Sequence, residues 1–143
     1  MSNPFDKPVP VTPQLGIWAD NAAQAVTDAN VKEIIEIAAY GGVTHWAVQP
    51  QDEDFDGAQP DTVATFVPEA SESVHLTADD IRKAYVRLLA GIEGLYIGAA
   101  AHRAAIQAWR DRTEQDGIDT SRIDADAADQ IIQLACFGHV MYA

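Results

Sequence analysis

Apolar residues recur with helical spacing in several stretches of the chain, and the first stretch begins near Asp28. From Asp28 to about Tyr40 they fall at i, i+3, i+4 and i+7, which places them on one stripe of a helix. Thr27 or Asp28 can cap the start, because short polar side chains accept hydrogen bonds from the first free N–H groups. The pair Gly41-Gly42 is typical of a left-handed helix end.

Two further helices are predicted in the middle of the chain. Thr77 followed by Asp80 forms a carboxylate variant of the capping box, and apolar residues keep helical spacing over the next nine residues. An alanine-rich helix is predicted from about Gly98 to Arg112, and Gly117 is expected to end that segment.

The last helix is predicted to begin at Asp124 or Asp126 and to stop at Gly138. Its interior, residues 131–137, is apolar almost all round, which indicates burial and not an exposed amphipathic face.

Alternation of apolar and polar residues predicts strands over Val43–Val48, Thr62–Val67 and Ser73–Leu76. The short connection between the second and third favours antiparallel pairing. A short terminal strand, His139–Tyr142, is expected to join the edge of the sheet.

Together these elements predict an α+β fold, with a small, mainly antiparallel sheet of three or four strands packed on about four helices. The length of 143 residues suits one domain, which we place at residues 17–143. Residues 1–16 carry four prolines and no regular period, so we predict an extended N-terminal arm that lies on the surface or on a partner.

Composition narrows the classes of function. There are 22 acidic and 9 basic side chains, a net charge of -13 with His neutral, and such an excess repels the phosphates of nucleic acid. No apolar run reaches the ~18 residues of a membrane span, and the first residues lack a signal-peptide pattern. The one cysteine, Cys136, excludes an intrachain disulfide. We therefore expect a protein of the host-cell cytoplasm with no membrane or direct nucleic-acid partner. The sequence leaves the oligomeric state open.

Charge is also segregated along the chain. Between Glu33 and Ile81 there are 11 acidic residues and no Lys or Arg, whereas residues 82–112 hold six basic against two acidic residues. Carboxylates spaced along a face can imitate duplex phosphates toward a protein whose Lys and Arg bind either anion. The alternative is that the charge serves solubility. We predict a partner-binding surface that comprises Trp46, Asp52, Glu53, Asp54, Asp56, Asp61, Glu69 and Glu72.

The segment Asp52–Gly57 matches the first half of a calcium loop, in which alternate carboxylates converge on a hard cation. Asp52, Asp54 and Asp56 are therefore candidate Ca²⁺ ligands. The match fails at position twelve, which is Val63 where a bidentate Glu belongs. A solvated acidic loop is the favoured interpretation, and no cofactor is expected.

Other candidate groups have ordinary structural interpretations. The chain has four histidines, His45, His75, His102 and His139, and none has the spacing of a metal-ligand motif. In the predicted fold, His45 and His75 lie nearest the acidic loop. Cys136 lies in the most apolar helix, where a thiol behaves as a small inert hydrophobe. The glycines at 91, 94 and 98 suggest a phosphate cradle, but the sequence lacks the Lys-Ser/Thr of a P-loop, so an interhelical turn is favoured.

Three blocks in order, at residues 34–46, 75–81 and 126–142, resemble a family of small proteins encoded by tailed phages and integrated mobile elements. These proteins share a helix ending in Gly-Gly before an aromatic strand, a Leu-Thr helix start, and a terminal block with an acidic residue, a Gln-containing helix and Phe-Gly. The resemblance implies a phage-type origin and carries no catalytic assignment. The proline-rich arm and the Ala/Arg stretch around 98–112 depart from it.

The sequence therefore predicts a non-enzymatic phage-type accessory protein that binds a host protein through its acidic surface, as a DNA mimic or counter-defence factor. One alternative is a virion structural or assembly protein that uses the N-terminal arm. Another is a small-ligand or cation-binding module built on the 52–57 loop with His45 or His75.

Overall fold

The computed structural model describes residues 21–42, 47–48, 62–68 and 74–142. Residues 21–24 are helical. The main helices are α1 (Asp28–Ile37), α2 (Ala78–Ala90), α3 (Ala99–Arg110) and α4 (Ala125–Phe137). The strands are β1 (Ala47–Val48), β2 (Thr62–Pro68) and β3 (Val74–Thr77). The predicted α+β class is confirmed, whereas the predicted arm at 1–16 lies outside the described residues.

The sheet is smaller than predicted. β2 and β3 form an antiparallel ribbon that runs from Thr62 opposite Thr77 to Phe66 opposite Val74, with an irregular register near Val63. Of the predicted strand Val43–Val48, residues 43–46 lie outside the described residues, and the two that are described form β1 and pair antiparallel with the end of β2. Within the described part of the chain, the sheet is thus a two-stranded ribbon with a two-residue strand at one edge.

The prediction of a terminal strand at His139–Tyr142 is wrong. The N–H of Val140 donates to the carbonyl of Leu95 at 2.8 Å, and the N–H groups of Met141 and Tyr142 both donate to Gln133 Oε1 at 2.8 Å. A buried side-chain amide on α4 therefore satisfies this backbone in place of a strand.

The predicted helix starts are largely confirmed, and the structure decides between the alternatives. Thr27 caps α1 and Thr77 caps α2, each in a reciprocal capping box. Asp124 caps α4 by accepting from the N–H of Ala127 at 2.8 Å. As predicted, α2 ends at Gly91 and α4 ends at Gly138, and both glycines have the left-handed backbone that is common after the last residue of a helix.

The left-handed backbone expected at Gly41-Gly42 is not found at Gly41. The helix continues from α1 as a π-helical turn, Ala38–Gly42, and Gly41 keeps a negative φ. A Cβ on Gly41 would lie 3.5 Å from the Cβ of Ala125, so the backbone here passes close to the first turn of α4.

The core is formed by α4 and the helices around it. Ile131, Ile132 and Leu134 of α4 are completely buried, as the all-round apolar pattern predicts. On α2, Tyr85 is also buried, and its hydroxyl donates to the carbonyl of Ala105 on α3 at 2.8 Å. Burial raises the pKa of this hydroxyl far above its ordinary value. No helix in the described segments has the length and apolar character to cross a membrane.

Candidate functional site: an acidic groove

The sequence-predicted partner surface falls outside the described residues. This applies to Trp46 and to all the acidic positions named for it, Asp52, Glu53, Asp54, Asp56, Asp61, Glu69 and Glu72. The Ca²⁺ candidates and His45 are outside as well. These assignments therefore stay predictions, and the acidic surface that the structure does describe is formed by other residues.

That surface is a groove between the first turns of α1 and the 111–120 segment. It has a volume of about 540 Å³, and four carboxylates line it: Glu33, Asp111, Asp116 and Asp119. We call this feature the acidic groove. Only Glu33 belongs to the acid-rich stretch noted in the sequence, and the other three come from the segment that follows α3.

Asn30 builds the floor of the acidic groove. Its side chain is 2 % exposed, and Oδ1 accepts from the N–H of Thr27 at 3.0 Å and of Ile118 at 3.1 Å. Nδ2 donates to the carbonyls of Asp116 at 3.1 Å and Ile118 at 3.2 Å. One buried amide thus caps α1 and fastens a distant loop to it, with all of its hydrogen-bonding groups used.

Gly117 allows the loop to approach this floor. Thr113 and Gly117 exchange backbone hydrogen bonds at 2.9 Å, which closes a tight turn, and Gly117 has φ +73°. A Cβ there would overlap Asn30 Oδ1 and lie 2.5 Å from the carbonyl oxygen of Ala25. The position therefore requires glycine both for its left-handed backbone and for its space.

The groove keeps an excess of negative charge. Arg122 lies 3.0 Å from Asp111 Oδ2 and 3.7 Å from Asp119 Oδ2, and the Thr120 hydroxyl donates to Glu33. A hydrogen bond from the Ser121 hydroxyl, at 2.6 Å, lowers the pKa of Asp119 below its ordinary value. Among the described residues, Arg122 thus pairs with two of the four groove carboxylates, Asp111 and Asp119, and the excess of carboxylates is suited to holding further cationic groups.

The arginines of the middle helices neutralise other carboxylates. Arg82 on α2 pairs with Asp28 and Asp79 and donates from Nε to the carbonyl of Val26 at 2.8 Å. Arg112 stacks over the Trp109 ring at 4.0 Å. Across the described residues, neither arginine forms an ion pair with a groove carboxylate.

The described histidines have structural partners. His75 Nδ1 lies 2.8 Å from the Thr65 hydroxyl across the ribbon, and His102 Nε2 lies 3.1 Å from the carbonyl of Leu89 at the end of α2. The 91–98 segment is the interhelical turn that was predicted. Within residues 21–42, 47–48, 62–68 and 74–142, no three metal-ligating side chains are grouped to hold an ion.

Cys136 behaves as the sequence predicts. Burial, followed by the nearby Asp80 carboxylate, raises the pKa of its thiol to about 12. The thiolate is the reactive form of cysteine, so this thiol is a poor nucleophile near neutral pH.

Sequence reasoning missed both the groove and a second surface. The Thr27–Asn30 spacing is a capping-box signal that could have identified Asn30 as part of the cap of α1. The four acidic residues between 111 and 119 could have identified the loop as an acidic surface. The second surface is an aromatic cleft lined by Tyr96, His139, Val140 and Met141. No short sequence pattern predicts it, because its walls come from separate segments.

Comparisons with protein-family models, with curated proteins and with solved structures found no match.

Proposed function

We propose that the chain is a non-enzymatic binding protein that engages a basic protein surface through carboxylates. The observation that supports this best is the acidic groove, which four carboxylates line and in which Arg122 pairs with two of them. The second support is the acid-rich stretch from Glu33 to Ile81, whose 11 carboxylates have no Lys or Arg in the same stretch.

At Asp119 the groove favours binding over general-acid chemistry. General acids near neutral pH need a carboxyl group with a raised pKa, whereas the pKa of Asp119 is lowered by its Ser121 hydrogen bond. A carboxylate that stays ionised is suited to a charge-assisted hydrogen bond with Arg or Lys. The Asn30 floor adds rigidity, which reduces the ordering cost of association.

The finer proposal is a phage-type accessory protein that occupies the DNA site of a host protein, as a DNA mimic or counter-defence factor. It is supported by the resemblance of the three sequence blocks and by the net charge of -13. A DNA-binding site selects anions at regular spacing and accepts carboxylates in place of phosphates.

The test is binding to purified host nucleases and restriction complexes, measured at rising NaCl concentrations with duplex DNA as the competitor. We expect the affinity to fall with salt, because exposed charges are screened over ~8 Å at physiological ionic strength. We also expect duplex DNA to displace the protein. Binding that ignores salt and DNA, or no binding to any of them, would contradict the proposal.

Matched charge variants locate the surface. E33Q/D116N removes two groove carboxylates, and E93Q/D126N removes two exposed carboxylates that are not in the groove lining. We expect the first to weaken binding about fivefold and the second to change it little, because contact pairs matter more than distant charge. Equal effects would assign binding to net charge and not to the groove.

A further inference from the structure

The aromatic cleft brings together the exposed large apolar side chains of the described residues. Tyr96 is 77 % exposed, Met141 53 % and Tyr142 36 %. Tyr96 and Met141 line the cleft, which has a volume of about 430 Å³, and Tyr142 is the next residue after Met141. Large apolar side chains that are exposed together are a feature of sites where proteins associate.

Hydrogen bonds fix the walls of the aromatic cleft before any partner binds. Gln133, which is fully buried, accepts from the N–H groups of Met141 and Tyr142, and its Nε2 donates to the carbonyl of Tyr142 at 2.8 Å. The N–H of Val140 donates to the carbonyl of Leu95. A preformed surface loses less conformational entropy on association than one that must first order.

The backbone of Tyr96 is unfavourable for its residue type. Its φ is +60°, and among the described residues it is the one non-glycine with positive φ. In the left-handed conformation the Cβ crowds the following carbonyl oxygen, so a tyrosine is strained there. Such strain is concentrated at sites that bind or switch, and here it presents the ring to solvent.

The aromatic cleft is an uncharged surface on a strongly acidic chain. It lies where residues 94–102 and 130–142 meet, and neither stretch contains Asp, Glu, Lys or Arg. The chain as a whole carries a net charge of -13. Basic partners are attracted by carboxylates, which this cleft lacks in its lining, whereas a second copy of the chain is repelled by them. An uncharged face is therefore the surface on which a second copy meets the least like charge.

The relief of the cleft is complementary to itself. Val140 is almost buried in the cleft lining, whereas the Tyr96 ring beside it projects into solvent and meets the His139 ring edge-on, with centroids 6.3 Å apart. A projecting ring and a depression thus lie side by side. Under a two-fold axis between them, the ring of each copy enters the depression of the other, and one patch serves both copies.

The size of this surface predicts a weak and reversible dimer. A fully covered aromatic side chain removes roughly 150–250 Å² from water, so the partly exposed Tyr96, Met141 and Tyr142 supply about 400 Å² per copy. The total of about 800 Å² lies below the ~1,200–2,000 Å² that stable interfaces bury. We therefore expect the dimer to form in concentrated solution and to dissociate on dilution.

We propose that the aromatic cleft is the contact surface of a two-fold symmetric dimer of this chain, in which the Tyr96 ring of each copy packs against His139, Val140 and Met141 of the other. The contact is apolar and uses no carboxylate. It is independent of the acidic groove and of the proposed function.

The test is sedimentation velocity of the full chain over a dilution series from millimolar to micromolar, at low and at high NaCl. We expect a monomer–dimer equilibrium whose dissociation constant falls as NaCl is raised, because salt screens the repulsion between two copies of charge -13. This sign is opposite to that expected for binding of a basic partner. A monomer at every concentration, a dimer that salt weakens, or growth beyond the dimer would overturn the proposal.

Amide spectra recorded over the same dilution series locate the contact. We expect the signals of residues 95–97 and 139–142 to shift with concentration and those of α1 to stay constant. Shifts confined to other parts of the molecule would contradict the cleft as the contact surface.

Matched variants separate the ring from charge and from folding. Tyr96→Asn removes the ring and places a residue that tolerates the left-handed backbone, and we expect it to raise the dissociation constant at least about tenfold, because both copies lose their central aromatic contact. Denaturation in dilute solution checks that this variant is folded. Arg103→Ala, an exposed change on α3, and E33Q/D116N in the groove should not weaken the dimer. A dimer unchanged in Tyr96→Asn, or one that is lost in E33Q/D116N, would overturn the proposal.

Discussion

Among the described residues, two buried carboxamides hold irregular backbone, and they do so over different distances along the chain. Asn30 fastens the backbone of Asp116 and Ile118, 86 and 88 residues away. Gln133 fastens Met141 and Tyr142, eight and nine residues away. The first shapes the acidic groove, and the second shapes the aromatic cleft.

The difference in distance predicts a difference in stability. Loss of the Asn30 contacts separates two parts of the fold, so opening there is expected to be global. Loss of the Gln133 contacts with Met141 and Tyr142 frees the last residues of the described chain, so opening of that segment is expected to be local. The groove is thus a rigid surface, whereas the cleft has one wall that can be released alone.

The largest expected effect is on the groove side, with Gly117→Ala. The new Cβ would lie 2.5 Å from the Ala25 carbonyl oxygen, and the backbone there is left-handed. We expect the free energy of unfolding to fall by roughly 4 kcal/mol, from overpacking and strain together. Urea denaturation measures it.

Gly94→Ala is the matched control for this change. Gly94 has φ +85°, but no atom of the described chain lies within 4 Å of the point that its Cβ would occupy. We expect a loss of only about 1 kcal/mol, which reports the left-handed backbone alone. Equal losses of unfolding free energy in Gly117→Ala and Gly94→Ala would contradict the steric contribution at Gly117.

Asn30→Asp is expected to destabilise the groove side of the molecule by introducing a buried negative charge. The introduced carboxylate would face the carbonyls of Asp116 and Ile118, where the wild-type Nδ2 donates. We expect a loss of roughly 3 kcal/mol at neutral pH, because two buried carbonyls lose their donor and meet an anion.

The pH dependence of this variant has a definite sign. Its folded state favours the protonated carboxyl, so the folded pKa lies above the unfolded value of about 3.9. Stability relative to wild type is therefore lost as the pH rises from the unfolded pKa through the folded pKa, and it is fully recovered below about 3.9. Asn30→Ala is the control, and its deficit should not change with pH in this way.

Local rules predicted much of the fold. The cap at Thr27, the capping box at Thr77 and the glycine at 91 fix helix ends by contacts within a few residues, and these are readable from spacing. The terminal strand failed because Gln133, a single buried amide, competes for the backbone of 139–142. Periodicity carries no information about such a competitor.

The groove could not be predicted for a related reason. Glu33 is far in sequence from the other three carboxylates, and it meets them because Asn30 and Gly117 join α1 to the loop after α3. Charge counting along the chain identified the stretch that contains Glu33 but not the tertiary contact that completes the groove. Long-range contacts made by one polar side chain leave a weak local signal.

On the cleft side, Gln133→Leu should cost less and act locally. We expect a loss of about 2 kcal/mol, because partly buried backbone groups at 141 and 142 lose their partner. Hydrogen exchange should show lost protection at Met141 and Tyr142, with protection kept within α4. The control is Gln107→Leu on the exposed face of α3, which should change neither quantity. Lost protection throughout the molecule would mean that Gln133, like Asn30, supports the whole fold, and it would contradict the prediction of local opening.

The smallest expected effect has the opposite sign and sharpens the comparison most. Tyr96→Asn places a residue that tolerates the left-handed region at φ +60°, so we expect the free energy of unfolding to rise by up to roughly 1 kcal/mol. Tyr96→Phe keeps the Cβ and the ring and should leave stability unchanged, as thermal and urea denaturation would show. The gain arises because Tyr96, at 77 % exposure, contributes little burial to offset its strain. A loss of stability in Tyr96→Asn would instead assign the ring to the fold, and the strained tyrosine would then need no ligand to explain it.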